Sequence, residues 1–241
     1  MKKLIESIPI TSDSVVIDIG SNEGQEIDAL LSIGCEIHSF EPHPMFAKEL
    51  KVRYGKIPNV HLNQCAAWTS NCEQTLYFKR DALSRNGGAS MLKFKSNVTH
   101  RQGEHYNKKV KCIDIAQYIK DLNTAIDLLK IDAEGVEYDL LGHIFNTGAH
   151  KKIKHFYYED HSEDFALQID HPREKLERFS ISGPPIEAIV RSMNQQDPEL
   201  ASWLARNIGP PNPQTLEWHK TKDKVLSKYK KANITLNTWH G

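Results

Sequence analysis

A run of aliphatic, mostly β-branched residues that ends in a glycine-bearing turn constrains this chain more than any other feature. Val15-Val16-Ile17-Asp18-Ile19 leads into Gly20-Ser21-Asn22-Glu23-Gly24. A helical pattern follows, and then Ile37-His38-Ser39-Phe40-Glu41-Pro42. A continuous apolar run, without alternation, is the pattern of a strand buried on both faces of a parallel sheet. Gly20 and Gly24 let the backbone turn sharply and approach a ligand where a Cβ would stand in the way. Glu41, at the end of the second strand, is placed to accept hydrogen bonds from ribose hydroxyls. Strand, turn, helix, strand and acid together make half of a nucleotide-binding α/β fold. The turn carries Asp18 and Glu23, which suits a cationic ligand better than a pyrophosphate.

The rest of the first 160 residues keeps that rhythm. Gly24 to Ser32 predicts a helix with Ile27, Leu30 and Leu31 on one face and Gly34 as its stop. His43-Pro44 opens a second helix to about Arg53, proline being tolerated in a first turn. Val60 to Ala66 predicts a third strand, Gln74 to Lys79 an antiparallel or edge strand, and Val110 to Ile113 a short one. Ile115 to Leu122 predicts a short helix. Ile126 to Asp132 is a strongly buried fourth parallel strand, followed by a helix over Gly135 to Phe145, and Ile153 to Glu159 is the fifth. Such alternation implies a parallel sheet with right-handed crossovers. The polar stretch from Asp81 to Gly103, with Gly87-Gly88 at its centre, predicts a long loop, read equally well as a ligand lid or a plain connection.

After Asp160 the pattern changes. Pro184-Pro185 and Pro210-Pro211 punctuate helical stretches at about Arg173 to Phe179, Ile186 to Asn194 and Pro198 to Asn207, and Asn233 to Trp239 predicts a short closing strand. Residues 1–161 are therefore expected to form the ligand-binding core and residues 162–241 a helical C-terminal or cap segment of the same or a second domain.

Bulk numbers exclude some classes. Lys and Arg number 31, as do Asp and Glu, so formal net charge is zero and bulk charge does not advertise binding to nucleic acid. The lysines from Lys220 to Lys231 read first as a solvated helix face and second as a local basic patch. Cys35, Cys65, Cys72 and Cys112 show no metal-like spacing and fit free thiols in a reducing compartment. Glu6 and Pro9 break the apolar N-terminal run well short of a signal-peptide core, and no stretch reaches the length of a membrane span. A cytoplasmic protein without membrane or nucleic-acid partners is the expectation; a homo-oligomer is compatible with it.

Two segments resemble the FkbM-type S-adenosylmethionine-dependent methyltransferases. One is Val16 to Gly24 with Phe40-Glu41-Pro42. The other is Leu128-Leu129-Lys130-Ile131-Asp132-Ala133-Glu134-Gly135-Val136-Glu137, similar to that family's fourth-strand signature. Gly87 to Met91 is weakly similar to its small-residue loop. The resemblance spans about residues 14 to 161. It implies a Rossmann-like class I methyltransferase fold, a mostly parallel sheet with helices on both faces, here with an atypical helical C-terminal segment. It also implies O-methylation of a sugar, glycan or small-molecule hydroxyl. By position, Asp18, Gly20, Ser21, Asn22 and Gly24 match the donor loop, Glu41 with Pro42 the ribose site, and Ala66 and Ala67 the adenine edge. Trp68 reads either as an adenine stack or as a core aromatic.

An alcohol acceptor loses its proton as the methyl group arrives, so a carboxylate, histidine or metal beside it is useful. Asp132, Glu134 and His161 stand at the rim where α/β sheets bind ligands and are the candidate catalytic residues. Asp132, Glu159 and His161 are an alternative ligand set for magnesium or manganese. Glu134 and Glu137 also stand at a helix N-terminus, where acids offset the dipole. Three rival functions remain on the sequence. A nicotinamide dehydrogenase would want G-x-G-x-x-G after the first strand. An amino-directed base methyltransferase would want Asn/Asp-Pro-Pro-aromatic where this chain has Asp132-Ala133-Glu134-Gly135. A methyltransferase-fold protein that only binds or assembles is the third.

Overall fold

The computed structural model describes residues 8–79, 88–92, 105–161 and 213–239. The helices expected over 173–179, 186–194 and 198–207, and most of the 81–103 loop, lie outside these residues. The chain divides into two compact units, one of residues 1–164 with 220–241 and one of residues 165–219. Both sheets described below lie in the first.

The chain alternates as the pattern predicts: β1 (Val15–Ile19), α1 (Gln25–Leu31), β2 (Glu36–Phe40), α2 (Pro44–Tyr54), β3 (Val60–Asn63), β4 (Ala66–Trp68), β5 (Cys72–Lys79), β6 (His105–Asp114), α3 (Ile115–Asp121), β7 (Ile126–Ile131), α4 (Glu137–Asn146), a 3-10 turn (Ala149–Lys152), β8 (Ile153–Glu159), α5 (Pro213–Lys231) and β9 (Leu236–Trp239). Six strands form one sheet in the order β3-β2-β1-β7-β8-β9. Every neighbouring pair in it is parallel. The strand order reverses between β1 and β7, so their C-terminal ends part and leave a crevice there.

All five residues of β1 are buried, as the unbroken apolar run requires. On one face Val16, Ile37 and Leu128 pack with Ile27 and Leu30 of α1 and with Leu50 and Tyr54 of α2. On the other, Tyr118 of α3 meets His38 and Phe40, and Tyr229 of α5 meets Phe156. The sheet is thus covered by helices on both faces.

The expected third strand, Val60 to Ala66, is two strands. β3 ends at Asn63, the Cys65 amide donates to the Asn63 carbonyl at 2.9 Å in a tight turn, and β4 leaves for a second sheet. The polar pair Asn63-Gln64 marks the break: Asn63 donates to the Ser39 carbonyl and Gln64 to the Ala47 carbonyl. In that second sheet, ordered β4-β6-β5, Ala66 pairs with Cys112 in parallel and β5 runs antiparallel to β6 from Cys72 to Lys79. Trp68 packs on its small apolar core of Ala66, Leu76, Val110 and Cys112. The short strand expected at 110–113 is longer because the mostly polar residues 105–109 also pair antiparallel with β5.

The closing strand forms as expected, single and parallel, with Leu236 opposite Phe156. The lysine-rich segment is a helix whose Lys220, Lys224, Lys230 and Lys231 are exposed. Two of its lysines depart from a purely solvated face: Lys222 donates to Asp160 at 3.0 Å and Lys228 to Asn146 at 2.5 Å. The four cysteines are free. No helix among the described residues is long and apolar enough to cross a membrane.

Candidate active site

A cleft opens over the C-terminal ends of β1, β2 and β7 and beside the start of β4. Gly20, Asn22, Glu41, Pro42, Ala66 and Ala67 line one part of it, and Asp132, Ala133 and Glu134 another. Two close approaches fix the floor. Gly20 has φ +79°, and a Cβ on it would sit 1.8 Å from the Asp132 carbonyl oxygen. Only glycine allows the β1 turn to lie against the end of β7. The Asp132 amide then donates to the Ile19 carbonyl at 3.0 Å, carrying the β1–β7 ladder to the rim.

Glu41 is buried at the end of β2. Its Oε2 accepts from the Asn22 amide at 2.8 Å and its Oε1 from the His43 amide at 2.6 Å. The carboxylate therefore braces the donor turn, with Asn22 in the left-handed region at φ 46°. Burial pushes its pKa up to about 7 against the opposing pull of those two amides. Two buried atoms at the same wall, Oδ1 of Asn22 and Nδ1 of His43, have no hydrogen-bond partner among the described residues. Unsatisfied buried polar atoms beside a cleft are what a bound polar ligand would complete. Beyond Glu41 the wall is apolar: Phe46 and Phe78 flank the His43 ring at 4.9 and 4.8 Å between centroids. Burial holds His43 below its ordinary pKa, so the ring is neutral near pH 7.

Asp18, Ser21 and Gly24 stand behind the cleft. Ser21 bonds the Asp18 carbonyl and the Ser39 hydroxyl. A Cβ on Gly24 would meet Leu50 and Tyr54 at 2.7 and 2.8 Å, so its role is to let α2 pack close. Asp18 faces Lys130, whose Nζ lies 3.2 Å from its Oδ1 and donates to the Gly20 carbonyl at 3.0 Å. Asp18 is thus taken up by an internal cation, and the negative charge offered to a ligand comes from Glu41, Asp132 and Glu134 instead. Lys130 stood in the motif, but nothing in the sequence gave it this task. Burial pulls its pKa down, but Asp18, Asp132 and Glu26 together push it above its ordinary value.

The other end of the cleft is built by the turn after β7. Glu134 sits in the left-handed region at φ 54° and Gly135 at φ 110°. Glu137, fully buried, holds that turn: its carboxylate accepts from the amides of Ala133 at 2.9 Å and Gly135 at 3.0 Å. The same carboxylate lies 2.9 Å from Nδ1 of His161. A carboxylate accepts, so the ring's proton is assigned to Nδ1. Nε2 then faces Glu134 Oε2 at 3.5 Å, Glu159 Oε1 at 3.8 Å and Asp132 Oδ1 at 4.0 Å. Ligand atoms of Asp132, Glu134 and His161 lie within 4.8 Å of one another, while Glu159 sits at the edge of the group. Burial and the neighbouring Asp132 push the Glu159 pKa up to about 7.

Of the 81–103 loop, residues 88–92 are described, and they are anchored. Ser90 exchanges backbone hydrogen bonds with Tyr77 at 2.8 and 2.9 Å, and its hydroxyl donates to the Glu134 carbonyl at 2.7 Å. The small residues here clamp the turn after β7 to β5. Gly88, Ala89 and Met91 line the cleft, as do His43, Phe46 and Phe78, which the sequence did not single out as a wall. Trp68 is absent from that lining and takes the core position described above.

A parallel sheet in this order, covered on both faces and with its cleft at the strand-order reversal, is the Rossmann-like α/β fold of methyltransferases. The chain belongs to the FkbM methyltransferase family: the family model described as "Methyltransferase FkbM domain" matches residues 18–182 of its 241. It is a methyltransferase by that membership. No curated protein matches the chain.

Proposed function

We propose that the protein is an S-adenosylmethionine-dependent O-methyltransferase acting on a hydroxyl of a sugar, glycan or small metabolite. One observation carries the reading: Glu41 and Asp132, from the ends of β2 and β7, line a single cleft. Glu41 is placed to accept from paired ribose hydroxyls, with Pro42, Phe46, Ala66 and Ala67 as the apolar bed for the base. Asn22 Oδ1 is placed to accept from the ligand's ammonium. Bound there, S-adenosylmethionine supplies an electrophilic methyl group on a sulfonium.

The protein's part is positioning, which accounts for much of the rate of such displacements, and proton removal. With that donor bound, Asp132 would accept the proton of the acceptor hydroxyl as its oxygen takes up the methyl group. Glu134 lines the same end, and Glu137 orients His161 behind it. A carboxylate that takes up a proton suits a hydroxylated acceptor, and the rim acids disfavour a phosphate backbone.

The test is calorimetry with the demethylated donor product, combined with a methyl-release assay on a panel of glycosides and polyols. Donor-product binding with methyl transfer to an oxygen supports the reading. Tight donor-product binding with no turnover on any acceptor favours a binding or assembly role. A second reading is favoured by the mutual approach of Asp132, Glu134 and His161: they hold magnesium or manganese, which polarises the acceptor oxygen. Loss of activity on chelation, restored by one of these ions, distinguishes it.

A further inference from the structure

A second cluster of ligating side chains lies away from the cleft. Glu36 is the first residue of β2, at the end of the strand opposite Glu41. Alternation places Glu36 and His38 on the sheet face that α3 covers, and His61 of β3 is in register with His38 on that same face. The Nε2 atoms of His38 and His61 converge on one oxygen, Glu36 Oε1, at 3.0 and 3.2 Å. The two rings stack with centroids 4.5 Å apart and planes at 18°.

We propose that Glu36, His38 and His61 form a binding site for a late first-row divalent cation, zinc foremost, separate from the methyl-transfer cleft. Two imidazoles and one carboxylate suit zinc and its neighbours better than magnesium or calcium, which prefer all-oxygen shells. The spacing fits as well. With metal–ligand bonds of about 2.0–2.1 Å, two ligands of a tetrahedral ion stand roughly 3.3 Å apart, close to both nitrogen–oxygen distances here. All three ligand atoms already lie within 4.8 Å of one another.

The surroundings are those of a ligand set held in place. The other nitrogen of His38, Nδ1, lies 2.8 Å from the Tyr118 hydroxyl, which Asn63 also approaches at 3.5 Å. With its proton on Nδ1, donated to Tyr118, His38 presents a lone pair at Nε2, the arrangement that orients metal-binding histidines. His38 is buried, while the side chains of Glu36 and His61 are 45% and 46% exposed. Water has access to complete the coordination. β3 is a four-residue edge strand. An ion there would clip it to β2 and stabilise the sheet edge by mass action.

Cobalt(II) titrated into the full-length chain tests the site. The Asp132→Asn background removes the contribution of the rim cluster. Expected are ligand-field absorption that saturates at one equivalent, no thiolate-to-metal band, and a thermal midpoint that rises with cobalt. His61→Ala should weaken binding by at least about tenfold, as losses in a metal's ligand shell do, and should remove the thermal response. Glu36→Gln, which keeps the shape, should do the same in a chain whose fold is least disturbed. Both variants should bind the donor product as the parent does. Absence of ligand-field absorption, a thiolate band, or equal cobalt affinity in both variants and the parent would overturn the assignment.

Discussion

Nζ of Lys130 lies 3.2 Å from Oδ1 of Asp18, with the two side chains only 2% and 1% exposed. This pair joins the C-terminal ends of β7 and β1 at the strand-order reversal, under the cleft. Removing one partner of such a pair leaves a buried charge without compensation, typically a loss of about 3–5 kcal/mol. Lys130→Met should therefore destabilise the chain by that order in denaturant unfolding. Asp18→Asn combined with Lys130→Met should recover much of the loss, because no charge is left stranded. A single variant within about 1 kcal/mol of the parent would show that the pair contributes little.

On the proposed reading, Glu41 should make donor binding depend on pH. Its pKa, held up to about 7 by burial, is above the ordinary carboxylate range. The folded chain thus holds this proton more tightly than the unfolded chain, and Glu41's contribution to stability declines as pH rises from that range through about 7. Ribose hydroxyls donate to the ionised carboxylate. Donor affinity should then rise with pH across the same window and level off above it. Glu41→Gln should flatten that profile, and Glu41→Ala should weaken binding by roughly 1.5–3 kcal/mol, the range for hydrogen bonds to a charged group. Glu159, also held near 7, lies at the acceptor end, so Glu159→Gln should keep the profile. Calorimetry at several pH values reads all three; a flat profile in the parent would remove the ribose role.

Glu137 is a positioning residue, and its substitution should act through His161. Oε1 of Glu137 both accepts from the Ala133 amide and faces His161 Nδ1. In Glu137→Gln the amide oxygen can keep that place, but the charge is lost and the amide nitrogen meets the Gly135 N–H. The bond that holds the ring's proton on Nδ1 should weaken, so His161 should populate the Nε2–H form, which changes what it presents to Glu134 and Asp132. Turnover should drop roughly 10–100-fold, as for other groups that orient a functional histidine, with donor affinity unchanged. Nitrogen-15 chemical shifts of His161 report the tautomer, and a tautomer that stays on Nδ1 would count against the coupling.

Much of this arrangement is legible in the sequence. The parallel strands announce themselves as short segments rich in β-branched and aromatic residues bounded by turn signals, so β1, β2, β7 and β8 fall within a residue or so of their expected ends. Asp132, Glu134 and His161 converge because strand ends share a rim, which alternation alone implies. What stays hidden depends on contacts distant in sequence. Nothing local says that Asp18 is matched by Lys130, 112 positions on, or that Gly24 makes room for Tyr54. The break between β3 and β4 turns on two side-chain hydrogen bonds to other elements. Phe46 and Phe78 read as ordinary core residues until the second sheet folds over the cleft.

Asp132 is expected to serve the acceptor more than the donor. Its carboxylate lies 3.5 Å from Lys130 Nζ, and its side chain keeps 27% exposure at the cleft. Asp132→Asn preserves shape and the amide bond to Ile19 while removing the proton acceptor. Turnover should fall by roughly 10²–10⁴, the usual span for a general base, and the dissociation constant for the demethylated donor product should stay near that of the parent. The comparison separates two roles of one position. Equal losses in turnover and donor affinity would assign Asp132 to donor binding, and parental turnover on a verified acceptor would sink the proton-transfer role. Treating the parent with chelator in the same experiment decides whether the acid acts alone. Full activity after metal removal leaves Asp132 as the base, and lost activity restored by magnesium or manganese makes it a ligand.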